Sequence, residues 1–395
     1  MIAALRILVV FGTRPEAIKL APLIAELKSR SDIDAFVCAT AQHRAMLDQV
    51  TRSFGISPDR DLDLMRPDQS ISDVTAAVLR GVSDVISEWR PDAVVVQGDT
   101  ASSMAAGLAA FYQRVPVAHV EAGLRTGLRA SPFPEEMTRR VITQIAQLHF
   151  APTRRAAENL VRDHADLEGM VFLTGNTVVD AVQQIASRER RQTAFRRAAA
   201  RMILVTAHRR ESFGEPIRSI CYAVRRLVES HPDVEVVYPV HLNPNIQRPV
   251  HELLAGHGRI HLVPPVDYEE LIALLKESLF VMTDSGGIQE EAPVLAKPVL
   301  VLRDHTERPE AIEAGTALLA GTDETEIYAL ACRLLDDDGF YEQMARAKSP
   351  FGDGFASKRI ADALQAWQSG DQRTLDRLRW TGEADLLPYV ASIAT

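Results

Sequence analysis

The stretch Arg6-Ile7-Leu8-Val9-Val10-Phe11-Gly12-Thr13-Arg14-Pro15-Glu16 decides the fold. A short apolar run rich in β-branched residues is closed by a glycine and followed by helical periodicity over Ile18 to Lys28. That is the pattern of a buried strand in a parallel sheet turning into its crossover helix. Arg6, Arg14, Glu16 and Lys19 interrupt the apolar residues and no small-residue cleavage pattern follows, so the segment reads as a strand rather than a secretory signal. Further strands are predicted at Ala35 to Thr40, Ala93 to Gln97, Val117 to Val120, His149 to Ala151 and Val171 to Leu173. Helices are predicted over Arg44 to Phe54, Ile71 to Trp89, Thr100 to Tyr112 and Arg139 to Gln147. The pattern restarts at Met202 to Thr206 and continues at Glu235 to Pro239, Ile260 to Val263, Phe280 to Thr283 and Val299 to Leu302. The fold class is therefore α/β, with two Rossmann-like doubly wound domains expected at 1–175 and 176–365 and a C-terminal extension at 366–395 whose Leu, Trp and Tyr suggest a packed helix or a subunit contact.

The composition fits that division. A chain of 395 residues, 46% hydrophobic and 25% charged, has room for two domains with a core each. A net charge of -9 argues against a nucleic acid as main partner, yet leaves room for a local basic pocket around a small phosphate ligand. The charged segment Arg188 to Arg201 reads as a solvated helix and connector. Cys38, Cys221 and Cys332 show neither C-x-x-C nor Cys/His spacing, so no disulfide framework and no metal site are expected, and a reducing cytoplasm fits. No apolar run reaches the roughly 20 residues that cross a bilayer. A soluble, cytoplasmic protein without a membrane partner is expected.

Ligands of open parallel sheets bind beyond the carboxyl ends of the strands, so a cleft lined by strand-end loops is expected between the domains. Gly12 to Glu16 leads into a helix that bears Lys19, and the helix start with Arg14 and Lys19 suits an anion, although an ordinary turn with an exposed arginine explains it too. Asp99, directly after a strand, is either an N-cap or a placed carboxylate. Glu121 is a poor cap and precedes a glycine-containing loop, which favours a functional carboxylate. Glu135 and Glu136, ahead of Arg139 and Arg140, offer two more acids, although acids in a first helical turn often only complement the helix dipole. His208 sits at a strand end with Arg209 and Arg210 beside it, suited to phosphate contact or proton transfer, and His241 is a second strand-end histidine. In Thr283-Asp284-Ser285-Gly286-Gly287-Ile288-Gln289-Glu290-Glu291, the small residues suit a pyrophosphate and Glu291 the ribose hydroxyls, with Arg308 on a later loop a candidate phosphate or sugar contact. No Walker or G-x-G-x-x-G pattern is present.

The ordered set GTRPEAIKLAP, TAQHR, GDTAS, HVEAGLRT, PEEMTRR, AHRRES, YPVHLNPN, TDSGGIQEEAP and TERPEAIEAGT closely resembles the non-hydrolysing UDP-GlcNAc 2-epimerases over about residues 6 to 365. That resemblance implies a glycosyltransferase-B-like pair of domains with the active site in the interdomain cleft, a homodimer, and no metal or redox cofactor. It implies interconversion of UDP-GlcNAc and UDP-ManNAc by anti elimination of UDP to 2-acetamidoglucal and readdition. By motif, Asp99, Glu121, Glu135 and His208 fall on catalytic positions with Arg139 beside them. Arg14, Lys19, Ser285, Gly286, Gly287, Glu291 and Arg308 match the UDP-binding set. Gln42, Arg209 and His241 resemble residues that hold a second, activating UDP-GlcNAc in many bacterial members, but Ala45 and Asp68 depart from that set, so weak or absent activation is expected. A hydrolysing epimerase, a glycosyltransferase and a silent sugar-nucleotide sensor are the alternatives.

Overall fold

The computed structural model describes residues 4–40, 53–64, 66, 68–130, 132–163, 170–188, 201–382 and 386. The chain divides into two compact units, Met1–Ala181 with Phe351–Thr395, and Val182–Pro350.

The first unit is built on a parallel sheet of β1 (Leu5–Phe11), β2 (Ile33–Ala39), β3 (Arg60–Asp61), β4 (Ala93–Gln97), β5 (Val117–Val120), β6 (Leu148–Ala151) and β7 (Met170–Leu173). The strand order is β3-β2-β1-β4-β5-β6-β7. β4 reads AVVVQ without polar alternation because it is buried along its whole length, as a central parallel strand covered on both faces must be. The helix Ile71–Trp89 carries Val74, Val78, Val82 and Val85 on one face, at helical spacing, and these pack in the core with Ala105, Ala106 and Ala109 of the helix Ala101–Tyr112. Burying each of those valines contributes about 1.5–3 kcal/mol over leaving it in water. The small residues of the second helix let the pair approach closely.

The second unit repeats the plan with β8 (Arg201–Thr206), β9 (Val234–Pro239), β10 (Ile260–Val263), β11 (Phe280–Thr283), β12 (Val299–Val301) and β13 (Ala317–Leu319). Their order is β10-β9-β8-β11-β12-β13 and every pairing is parallel. Strand order reverses between β1 and β4 in the first unit and between β8 and β11 in the second. Such a switch point opens a crevice at the carboxyl ends of the two strands.

The chain after Pro350 returns to the first unit, whereas the sequence placed residues up to 365 with the second. Non-local bonds decide this. The Asp180 carboxylate accepts from the backbone N–H of Ala356 at 3.2 Å and of Ser357 at 2.8 Å, at the start of the helix Ala356–Ser369. Arg30 pairs with Asp362 of that helix at 2.7 Å. The extension continues as a helix, Gln372–Leu378, and Trp380 N–H then donates to the Val171 carbonyl at 2.9 Å, fixing the tail to β7. β3 and β13 were not anticipated. The helix expected over Arg44 to Phe54 lies, except for its last two residues, outside the described ones. Among the described residues no helix is long and apolar enough to cross a membrane.

Candidate active site

In the first unit, the loop after β1 is tied to the loop after β4 through one buried acid. The Glu16 carboxylate accepts from the backbone N–H of Gly12 at 3.0 Å and Thr13 at 2.7 Å, and from the Thr100 hydroxyl at 2.7 Å. Thr13 and Glu16 form the T-x-x-E capping box of the helix Arg14–Ser29. Burial pushes the Glu16 carboxyl upward against these donors. Gly12 is required by packing, since a Cβ there would lie 2.2 Å from Thr40 Oγ1 and 2.7 Å from Ser102 Oγ.

That tie places Asp99. Thr100, not Asp99, caps the helix Ala101–Tyr112, its hydroxyl accepting from Ser103 N–H at 3.0 Å. Asp99 is thereby left as a placed carboxylate. Its Oδ2 accepts from Arg139 Nε at 2.7 Å and lies 2.6 Å from Arg139 Nη2. Arg139 is held in turn by Glu136, whose fully buried carboxylate also accepts from Thr126 N–H at 3.0 Å and from Arg140 at 3.1 Å. Burial would raise the Glu136 carboxyl, but Thr126, Arg140, Arg139 and Arg125 outweigh it and hold the group below its ordinary value. Glu135 begins the same helix, Glu135–Ile145, which starts earlier than the sequence suggested, and its Oε2 is buried with no hydrogen-bond partner among the described residues.

Glu121 follows β5 with φ +63°, the left-handed region that a bulky residue rarely enters. Its carboxylate, 7% exposed, accepts from Lys19 Nζ, Gln97 Nε2 and, at 3.1 Å, Asn176 Nδ2. Lys19, grouped with the UDP-binding set on sequence, thus engages a carboxylate of its own unit. Arg14 is half-buried at the first position of the helix. His119, beneath this cluster, is fully buried and its Nε2 bonds the Gly98 carbonyl at 2.7 Å. Burial lowers its pKa to about 4, so it is neutral at physiological pH.

In the second unit the arrangement is inverted, with the acid below and the bases above. Asp284, fully buried after β11, accepts from the N–H of His208 at 2.7 Å, the N–H of Arg209 at 2.8 Å and the Ser212 hydroxyl at 2.8 Å. His208 Nδ1 lies 3.6 Å from Asp284 Oδ1, and the His208 ring stacks on His241 with centroids 5.5 Å apart. Burial lowers the His208 pKa; Asp284 opposes this, and His241 and Arg209 add to it. Ser285 precedes the short helix Gly286–Glu291, and an ideal Cβ on Gly286 would lie 3.5 Å from Arg209 Nη2. Arg209, grouped on sequence with the activator set, therefore reaches the head of the small-residue turn. Arg308 is paired with buried Glu290, and Glu291 is likewise buried. Gln42 and Ala45 lie outside the described residues; Asp68 sits at φ +55°.

Sequence reasoning missed Glu16, Gln97, Glu136, Asn176 and Asp284 as organisers. Only Glu16 carried a local signature, its capping box. Away from these loops, His231, Cys332 and Asp336 bring potential metal-ligand atoms within 4.8 Å of one another, a grouping that sequence spacing concealed.

Strand-end acids on one Rossmann-like unit, and a histidine, an arginine and small residues at the switch point of the other, define a two-domain α/β enzyme. The fold is shared with a glycosyltransferase of Streptomyces nogalater, at 17% identity and a TM-score of 0.57 over 93% of this chain and 99% of that one. The model of the UDP-N-acetylglucosamine 2-epimerase family matches residues 25–365, and the chain belongs to that family, an isomerase of the kind its motifs implied. The UDP-N-acetylglucosamine 2-epimerase of Yersinia pestis is 49% identical over 374 residues, covering 92% of this chain and 99% of the relative. The crystal structure of the Neisseria meningitidis UDP-GlcNAc 2-epimerase bound to UDP-GlcNAc matches with a TM-score of 0.83 at 44% identity, over 91% of this chain and 100% of that one.

Proposed function

We propose that the chain interconverts UDP-GlcNAc and UDP-ManNAc without hydrolysis, by anti elimination of UDP to 2-acetamidoglucal and readdition with the C2 proton delivered to the opposite face. The observation that carries this is a set of three carboxylates in one unit: Asp99 and Glu121 just after strands, each paired with a cation, and Glu135 at the start of the helix whose Arg139 holds Asp99. The C2 proton is weakly acidic, so its removal needs carboxylates fixed close to it, and its return on the other face needs a second proton carrier. Asp99, held by Arg139, and Glu135 take these roles, and Glu121 takes part or positions the sugar.

The departing diphosphate gathers negative charge, which fixed cations and amides stabilise. His208 assists that departure. Ser285, Gly286, Gly287, Glu291, Arg308, Arg14 and Lys19 serve the UDP moiety, the last through its contact with Glu121. No metal or redox cofactor enters, and the enzyme works as a cytoplasmic homodimer supplying ManNAc-type sugars for cell-surface polysaccharide. Gln42, Arg209 and His241 serve an activator weakly or not at all.

Product analysis by proton and phosphorus NMR tests the reaction. UDP-ManNAc appearing from UDP-GlcNAc without free sugar is the expected result; release of ManNAc and UDP would mark a hydrolysing enzyme instead.

A further inference from the structure

We infer that Asn176 and Gln97 are positioning residues for Glu121, acting in the reaction proposed above and resting on that reading. Glu121 holds a left-handed backbone at φ +63°, which stores about 1–3 kcal/mol for a residue other than glycine. If the turn after β5 served only to redirect the chain, glycine or asparagine would make it without that strain. What the strained turn achieves is delivery of a carboxylate to donors from separate elements: Lys19 on the first helix, Gln97 at the end of β4 and Asn176 in the loop after β7.

The Asn176 amide cannot turn away. Its Oδ1 accepts from Val178 N–H at 3.1 Å, which leaves Nδ2 for Glu121, and its own backbone N–H donates to the Phe351 carbonyl at 2.7 Å. Behind it, Gly175 and Gly352 lie back to back, since a Cβ on Gly175 would come 3.2 Å from the Gly352 Cα. The returning segment of the chain therefore sets the position of Asn176. Gln97 is buried and fixed by strand pairing opposite Val120, next to Glu121 in sequence. Lys19 and Asn176 meet Oε1 and Gln97 meets Oε2, while a Cβ on Gly98 would lie 3.7 Å from Oε2. Gly98, next to Asp99 in the chain, turns at φ +69°, so a side chain there would be strained as well as set against Oε2. The two amides thus fix the orientation of the carboxylate plane, a task a flexible lysine alone does not perform.

A double-mutant cycle on kcat tests this, because residues that act through one another are not additive. Asn176→Ala and, independently, Gln97→Met are each expected to lower kcat about 10- to 100-fold with KM for UDP-GlcNAc changed less than about twofold, as loosened alignment does. In a Glu121→Gln background, assayed at high enzyme concentration, either substitution should change kcat by less than about twofold. Gln97→Met keeps the assay informative if Asn176→Ala fails to fold, since it removes a donor from a different element. Equal losses in both backgrounds, or an unchanged kcat in the wild-type background, would overturn the inference while leaving the reaction intact. A wild-type chain that makes no UDP-ManNAc would overturn the underlying reading and this inference with it.

Discussion

The two switch points solve opposite problems with the same parts. In the first unit, cations support acids: Arg139 holds Asp99, and Lys19 with two amides holds Glu121. In the second, acids support bases and donors: Asp284 fixes the backbone of His208 and Arg209, and Glu290 fixes Arg308. A carboxylate held by a cation stays aligned, which suits proton transfer at a carbon. A buried acid beneath backbone N–H groups and an imidazole instead orders positive and donor groups for an anion. We propose on this contrast that the first unit carries the proton chemistry and the second most of the nucleotide contacts.

The largest expected effect breaks the first half of that contrast. Glu135→Gln, which alters a carboxylate whose Oε2 has no partner among the described residues, should lower kcat about 1,000-fold, within the range for loss of a general acid or base. The melting temperature should hardly move; a turnover close to wild type would remove Glu135 from the reaction. Next comes Asp284→Ala, which strips the acceptor from three donors and should destabilise the protein by about 3 kcal/mol in denaturant titration. The same variant should weaken UDP binding about tenfold, roughly 1.4 kcal/mol, by releasing His208 and loosening the turn into Ser285.

A pH experiment separates the units further. His119 has a folded pKa near 4, below its ordinary 6.5, so between these values the unfolded chain binds the extra proton and the folded chain does not. Its contribution is thus constant above about pH 6.5 and falls as the pH drops toward 4, by roughly 3 kcal/mol in total. His119→Gln should flatten that part of the stability curve, and an unchanged acid slope would refute it.

The smallest effect is a pair of glycine substitutions. Gly12→Ala collides with Thr40 and Ser102 and should cost about 1–3 kcal/mol of stability. Gly286→Ala meets its first neighbour, Arg209 Nη2, only at 3.5 Å, so stability should stay within about 0.5 kcal/mol while UDP affinity falls. Equal stability losses at both positions would erase the distinction between a packing glycine and a binding one.

Much of this contrast is legible in the sequence, and the illegible part has a physical reason. Buried parallel strands such as Leu5–Phe11 and Ala93–Gln97 announce themselves by apolar runs, and the acids at their ends follow from position. β3 consists of exposed Arg60 and Asp61, with no apolar signal to read. Glu136 resembles a dipole complement in sequence; only the fold shows it buried beneath Arg139 and Arg140. Gln97 and Asn176 lie far from Glu121 along the chain or carry no charge to attract notice, and they converge through strand order and through the chain's return at Phe351. Periodicity reports burial and local turns. It does not report which distant side chain completes a site.

The division of labour between the units is tested most directly by following solvent deuterium into C2 of UDP-GlcNAc in the wild-type enzyme and in Asp99→Asn, with UDP affinity measured by calorimetry on the same preparations. The account predicts exchange in the wild type, loss of exchange in Asp99→Asn by about 100-fold or more, and a UDP Kd within about twofold of wild type. Exchange that persists in Asp99→Asn, or a loss of exchange that tracks a loss of UDP binding, would contradict it.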